Sequence, residues 1–203
     1  MYIMRRCQET DLALVDSFLA TVVFDEEPLV SANGPVVIPP ADESLSASVI
    51  PQGHSILAED EFGHVIGVCL NDQPPQQHPS IYTNTDDDTK FQKLFLYMEE
   101  RSGVMDLAPD ALEVRIMAVD SGWRQKGVAT GLLKTTEQTA KLSGFNWLKI
   151  YCTSHYSNKL MLKLGWKLLY SLSYEEYINN VESNIRPPTK PHTHCNLYVK
   201  KVA

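Results

Sequence analysis

The chain alternates between short apolar runs of period two and longer runs of helical period, and their order predicts a mixed α+β fold. "YIMRRC" (2–7) reads as a first strand. "DLALVDSFLATVVF" (11–24) carries apolar residues at helical spacing, with Thr10 or Asp11 as its cap. Pro28 interrupts that pattern, which puts Glu26 and Glu27 of "DEEPLV" at a helix end or in a tight loop. "DESLSASVI" (42–50) suggests a short helix capped by Asp42 or Ser44. "HSILAED" and "HVIGVCLN" flank "EFG" and read as a hairpin. "DTKFQKLFLYMEERSG" (88–103) is an amphipathic helix with a stop at Gly103. Then come a strand over 111–119, a helix from about 127 to 143 and a strand over 145–153. "SNKLMLKLGW" is a helix ending at Gly165, "KLLYSLSYEEYI" begins as a strand, and "HCNLYVKKV" is a final strand. No repeat or composition break divides the chain, so one α+β domain over 1–203, built on one mixed sheet, is expected.

Composition narrows the function classes. The 203 residues are 43% hydrophobic and 21% charged, which is ordinary for a globular protein. The net charge of −7 argues against nucleic acid, whose phosphates need clustered Lys and Arg. The four cysteines, Cys7, Cys69, Cys152 and Cys195, form no CxxC pair, and reduced, mostly buried thiols are expected. "MYIMRRCQETDL" turns polar too early for a signal segment, and no apolar run reaches the ~18–20 residues of a membrane span. A soluble, cytoplasmic monomer with small-molecule partners is expected, without nucleic acid or membrane.

The chemistry concentrates in "VDSGWRQKGVATGLL" (119–133), where a strand hands over to a helix through Gly122, Arg124, Lys126 and Gly127. The first N–H groups of a helix lack intrahelical partners, and the helix dipole adds partial positive charge there, so such a turn suits an anion. Gly127 lets backbone approach a ligand closely. The spacing fits neither G-x-x-x-x-G-K-[ST] nor G-x-G-x-x-G. On spacing alone, a plain β–α turn with a solvated basic tip fits equally well.

Arg124-Gln125-Lys126-Gly127-Val128-Ala129 resembles the Q/R-x-x-G-x-G/A signature of the GNAT superfamily of N-acetyltransferases. "TSHYSNKLMLKLGW" resembles that superfamily's second motif, and Lys163, Gly165 and Trp166 match its ending. "FDEEPLV", "YCTSHYS" and "KPHTHCNLYVK" are similar to segments of the insect arylalkylamine N-acetyltransferases, so the likeness runs from Tyr2 to about Lys200. The resemblance implies a strongly twisted, mostly antiparallel mixed sheet with helices on both faces. A V-shaped gap would open between strands 111–119 and 147–153. It implies acetyl-CoA as cosubstrate, bound by Met117, Ala118 and Val119 at the strand end and by Arg124, Gln125, Lys126, Gly127, Val128, Ala129 and Thr130 in the loop. The Ala118 N–H is expected to polarise the acyl carbonyl.

The reaction implied is direct acetyl transfer to the primary amine of an arylalkylamine, with agmatine or another polyamine as the alternative. A silent coenzyme-A-binding protein is the rival of a different class. An ammonium ion has no lone pair, so a base must take its proton. The match to "E-P-L" selects Glu27 over Glu26; without it, "DEE" reads as a solvated acidic loop. Many members protonate the thiolate with a Tyr, but Met161 occupies that position here. Ser157 and Ser154 are the substitutes, unless one of them or Thr153 only caps the helix; Tyr156 is a further candidate. His194, or His192, could serve a water relay. "HTHC" (192–195) lacks a fourth ligand, so no metal is expected. Phe24, Pro28 and Leu29, with aromatics from 74–102, would line the amine pocket. Asp86, Asp87 and Asp88 would suit a polycation, or simply a solvated helix start.

Overall fold

The computed structural model describes residues 1–22, 26–33, 41–75 and 86–203. Among them, one sheet holds strands β1 (Tyr2–Arg6), β2 (Ile56–Asp60), β3 (Val65–Asp72), β4 (Leu112–Val119), β5 (Trp147–Cys152), β6 (Lys167–Ser173) and β7 (His194–Lys201). Their order is β1-β2-β3-β4-β5-β7-β6, and the sheet does not close. Every pairing is antiparallel except that of β4 with β5. The helices are α1 (Leu12–Val22), α2 (Pro28–Asn33), α3 (Leu45–Val49), α4 (Asp86–Ser102), α5 (Val104–Leu107), α6 (Val128–Leu142), α7 (His155–Lys163) and α8 (Tyr174–Asn180).

Strand alternation sorts the core onto two faces. On β2, Ile56 and Ala58 turn to the cluster under α6, which includes Val128, Leu132 and Leu133. Leu57 between them turns to the cluster under α1 and α3, with Val15, Leu19 and Val49. On β5, Leu148 and Ile150 belong to the α6 side, while Trp147 and Tyr151 pack with Leu94 and Met98 of α4. Burial of these stripes, rather than propensity, holds helices as short as α3 against the sheet. All four cysteines are buried free thiols. Among the described residues no helix is long and apolar enough to cross a membrane.

Two features make a cleft in the middle of this sheet. β4 and β5 pair only at Leu112↔Leu148, Glu113↔Lys149 and Val114↔Ile150, then part. A bulge causes β4 to bend at this point: Leu70 of β3 faces Ile116 and Asn71 faces Val114, so Arg115 has no opposite residue. The V-shaped gap expected between these two strands is therefore present.

Several local expectations need correction. The first helix is entered at Gln8, whose N–H donates to Asp11 Oδ2 at 2.8 Å, so neither Thr10 nor Asp11 is its cap. Pro28 opens a helix instead of merely interrupting one, because proline at the first helical position loses no hydrogen bond. Of Asp42 and Ser44, Ser44 caps α3, accepting from Ala47 N–H at 3.1 Å. "KLLYSLSYEEYI" does begin as a strand, β6, and its "YEEYI" end is helix α8, capped by Ser173.

Candidate active site

The parted strands, α2, α4, the 120–127 turn and the start of α7 enclose a cleft of about 990 Å³. One end of it is the turn into α6. Gly127 adopts φ +87° and Gln125 φ +60°, so two left-handed residues bracket Lys126 and present backbone N–H groups in one concavity. No side chain caps α6, which leaves its first N–H groups available. A Cβ built on Gly127 would meet nothing closer than Tyr2 Oη at 3.8 Å, so the space above this residue is open. These properties fit a pyrophosphate.

Most of the expected cofactor residues line the cleft: Met117, Ala118 and Val119 on β4, and Arg124, Gln125, Gly127, Val128, Ala129 and Thr130 in the turn. Lys126 is not in its wall, and its Nζ lies 5.1 Å from the Trp123 ring centroid. Arg124 donates through Nε to Val119 O at 3.2 Å and pairs with Glu26 across the mouth of the cleft. The Ala118 amide needs a correction. Asp120 N–H donates to Ile66 O at 2.9 Å, so by alternation the amide of Ala118 also points to β3, opposite Val68. The amides of Met117 and Val119 are the ones directed toward the gap.

Glu27 lies in the opposite wall as the residue before α2. Its Oε2 accepts from Val30 N–H at 2.7 Å, which caps the helix and fixes the carboxylate. Desolvation raises its pKa above the ordinary carboxylate range, against the opposing hydrogen bond from Val30 N–H, and Oε1 is buried with no hydrogen-bond partner among the described residues. Thr153, just beyond β5, lines the same cleft, and Tyr174 Oη donates to its carbonyl oxygen at 2.8 Å. The sequence marks Thr153 only as a possible helix cap, a role that Ser154 takes.

Ser154 caps α7, accepting from Ser157 N–H at 3.0 Å. Ser157 Oγ lies 2.9 Å from Ser154 Oγ and also 2.9 Å from Ser154 O, and both serines line the cleft. Beside Ser157, Cys152 is buried and its thiol is pushed up to about 12 by desolvation, so it stays protonated. Met161 is fully buried in the core under α6. His192 lines the cleft, its Nδ1 accepting from His155 N–H at 3.1 Å. Burial and the neighbouring His155 lower its pKa, which keeps it neutral near pH 7. His194 lies outside the cleft, exposed and 2.9 Å from Thr193 Oγ1. Exposed Tyr156 stands beside both His155 and His192.

The half of the cleft beside α2 and α4 is walled by Pro28, Leu29, Phe91, Phe95 and Tyr151. Phe95 and Tyr151 are 5.1 Å apart, ring centre to ring centre. Phe24 lies outside the described residues, as do the side chains of Asp86, Asp87 and Asp88. Sequence reasoning missed the ionic floor of this half. Arg115 Nη1 donates to Glu113 Oε1 at 3.2 Å, and Lys149 Nζ lies 3.2 Å from Glu113 Oε2 and 3.7 Å from Glu99 Oε1. The available signal was the charged residues inside apolar strands, Glu113 and Arg115 in "ALEVRIMAV" and Lys149 in "NWLKIYC".

The fold is shared with several solved structures. A mosquito arylalkylamine N-acetyltransferase like 5b is similar at TM-score 0.87 and 23% identity, over 99% of this chain and 100% of that one. Arylalkylamine N-acetyltransferase 2 of Aedes aegypti is similar at 0.87 and 24%, over 100% and 99%. A polyamine N-acetyltransferase of Drosophila melanogaster, an enzyme that forms N-acetylagmatine, is similar at 0.84 and 23%, over 99% and 100%. A family model of the acetyltransferase (GNAT) family matches residues 29–166. With that match over more than half its length, the chain belongs to the acetyltransferase (GNAT) family.

Proposed function

We propose that this protein acetylates small primary amines from acetyl-CoA, with arylalkylamines as its acceptors and Glu27 as general base. The observation that carries the reading is the Glu27 carboxylate, desolvated and fixed by Val30 N–H in the wall of the cleft that parts β4 from β5. Acetyl-CoA, when bound, supplies the activated acetyl group and leaves as a thiol. Met117, Val119 and the open N–H groups of the 124–130 turn would hold it. Glu27 takes the ammonium proton, directly or through a water, and its raised pKa makes it a better base. The Met117 or Val119 amide offers a donor where charge develops on the acyl oxygen. Ser157, with Ser154 beside it, is the candidate source of the thiolate's proton. His192 is neutral and able to relay a proton; His194 is too remote for either role.

The aromatic wall of Phe91, Phe95 and Tyr151 favours a flat apolar acceptor, which gains by burial and stacking. Agmatine or a polyamine is the second reading, supported by likeness to the Drosophila enzyme. The test is an acceptor panel of phenethylamine, tyramine, tryptamine, agmatine and spermidine, scored by free-thiol release. Higher kcat/KM for the aromatic amines is expected. A clean preference for the polycations would overturn the aromatic assignment, and no thiol from any amine would leave a coenzyme-A-binding protein.

A further inference from the structure

Glu27 is tied at one oxygen only. Its Oε2 accepts from Val30 N–H at 2.7 Å, and buried Oε1 has no hydrogen-bond partner among the described residues. The carboxylate therefore goes where α2 goes. That helix has only six residues, too few to hold itself in place. Near its start, Leu29 packs in the cluster that includes Tyr174, Ile185 and Leu197. At its end, Asn33 makes a second attachment. Its Nδ2 donates to Leu29 O at 2.8 Å and to Arg186 O at 3.1 Å, and its Oδ1 accepts from Arg186 N–H at 2.7 Å. One side-chain amide thus pairs with both backbone groups of one residue, as a neighbouring strand would. Arg186 lies in the segment 181–193 between α8 and β7. That segment is itself anchored: Ile185 is 3% exposed, and Glu182 Oε2 lies 3.5 Å from Lys93 Nζ on α4.

We propose that Asn33 is a positioning residue for acetyl transfer: it clamps α2 to the 181–193 segment and so sets where the Glu27 carboxylate stands in the cleft. This rests on Glu27 as the general base, as proposed above. The pairing needs a donor and an acceptor side by side on a short side chain, which asparagine supplies. Aspartate has no donor at neutral pH, and glutamine is one methylene longer. Asn33 does not line the cleft, so it acts only through the group it places. A base displaced by about 1 Å costs on the order of a hundredfold in rate.

The test is a double-mutant cycle of Asn33→Leu and Glu27→Gln in the full chain. The substrates are acetyl-CoA and the amine that turns over fastest in the panel above, and free-thiol release is followed from neutral to alkaline pH. Leucine keeps the volume of the amide and removes both ends of the pairing. The pairing lies at the surface, where water replaces it, so the melting temperature should fall by only about 2–4 °C or less. Near neutral pH, kcat/KM should fall on the order of ten- to a hundredfold. The deficit should narrow as pH rises and free amine accumulates, and acetyl-CoA affinity should hold. In the Glu27→Gln background, Asn33→Leu should change the rate by less than about threefold, because the group it places is gone. Asn33→Ala is the second variant and should give the same pattern. A loss by one factor at every pH and in both backgrounds overturns the clamp and leaves the base in place. So does wild-type activity in Asn33→Leu, or failure of both Asn33 variants to fold, which would make the contact a requirement of the fold alone. Full activity in Glu27→Gln, or no thiol from any amine, overturns the base and the clamp with it.

Discussion

Lys149 and Glu113 face each other in the short ladder where β4 and β5 still touch, with Nζ 3.2 Å from Oε2. Their side chains are only 2% and 4% exposed. A buried pair adds little net stability when intact, but removing Lys149 leaves Glu99 and Glu113 with Arg115 as their one cation in this cluster. Lys149→Met should therefore cost about 3–5 kcal/mol, and adding Glu113→Gln should restore part of it. Urea unfolding of the two single variants and the double variant checks this. Additive losses would show that the two side chains do not depend on each other.

The anion end depends on Gly127. Its φ of +87° is costly for any side chain, and a longer one would stand in the open space against the N–H groups of α6. Gly127→Glu adds a negative charge there as well. Calorimetric titration should show affinity for acetyl-CoA falling at least tenfold, on the order of a lost charge-assisted contact. Lys126→Ala should change it by roughly 1 kcal/mol or less, since Lys126 sits over Trp123 outside the cleft wall. Unchanged affinity in Gly127→Glu would remove the turn from the cofactor site.

Helix α6 lies close on β3 because Gly67 has no side chain. A Cβ there would stand 3.1 Å from Val128 Cγ1 and 3.2 Å from both Ala118 O and Leu132 Cδ1. One of those contacts is backbone, so the strain cannot be relieved by rotamers alone. Gly67→Ala should destabilise the fold by about 1–3 kcal/mol, the usual cost of overpacking. Because Val128 begins α6, it should weaken acetyl-CoA binding too. A thermal melt and a cofactor titration on the same sample separate the two effects.

What could be read from the sequence was what lies contiguous in it. The turn 124–130 announces itself because a strand, its cations, its glycine and its helix follow one another within about twenty residues. The gap between β4 and β5 followed from the resemblance, but its cause, the bulge at Arg115, depends on pairing with β3 and has no local mark. The meeting of Glu27 and Thr153 in one cleft and the Glu113–Lys149 pair are likewise made by the fold. His192 and His194 were indistinguishable in "HTH" because neither period nor charge separates them; the fold turns only His192 into the cleft. Two misses had signals that were overlooked. "SYEE" places Ser173 three residues before Glu176, a start signature of helix α8, and proline at its first position marks α2.

The mechanism turns on Glu27. Near neutral pH a primary alkylamine with a pKa near 10.4 is almost wholly protonated, so its proton must be taken before it can attack. Glu27→Gln keeps the shape of the side chain and an oxygen for Val30 N–H, yet removes the base. It should lower kcat by on the order of 10²–10⁴-fold, with little change in acetyl-CoA affinity. In the wild type the acidic limb of kcat/KM should lie above the ~4.3 of an ordinary glutamate, because desolvation raises this carboxyl. In Glu27→Gln that limb should vanish, leaving weak activity that rises at high pH as free amine accumulates. The same shift has a stability consequence of definite sign. A carboxyl raised on folding favours the native state below its unfolded pKa, and that benefit is lost as pH rises through the folded value. The wild type should thus lose stability over that window while Glu27→Gln, which resembles the protonated form, does not. At pH 7–8 the variant should melt at the same or a higher temperature. Full activity in Glu27→Gln with the same acidic limb would move the base elsewhere, and His192, the histidine in the cleft, would be the first group to replace.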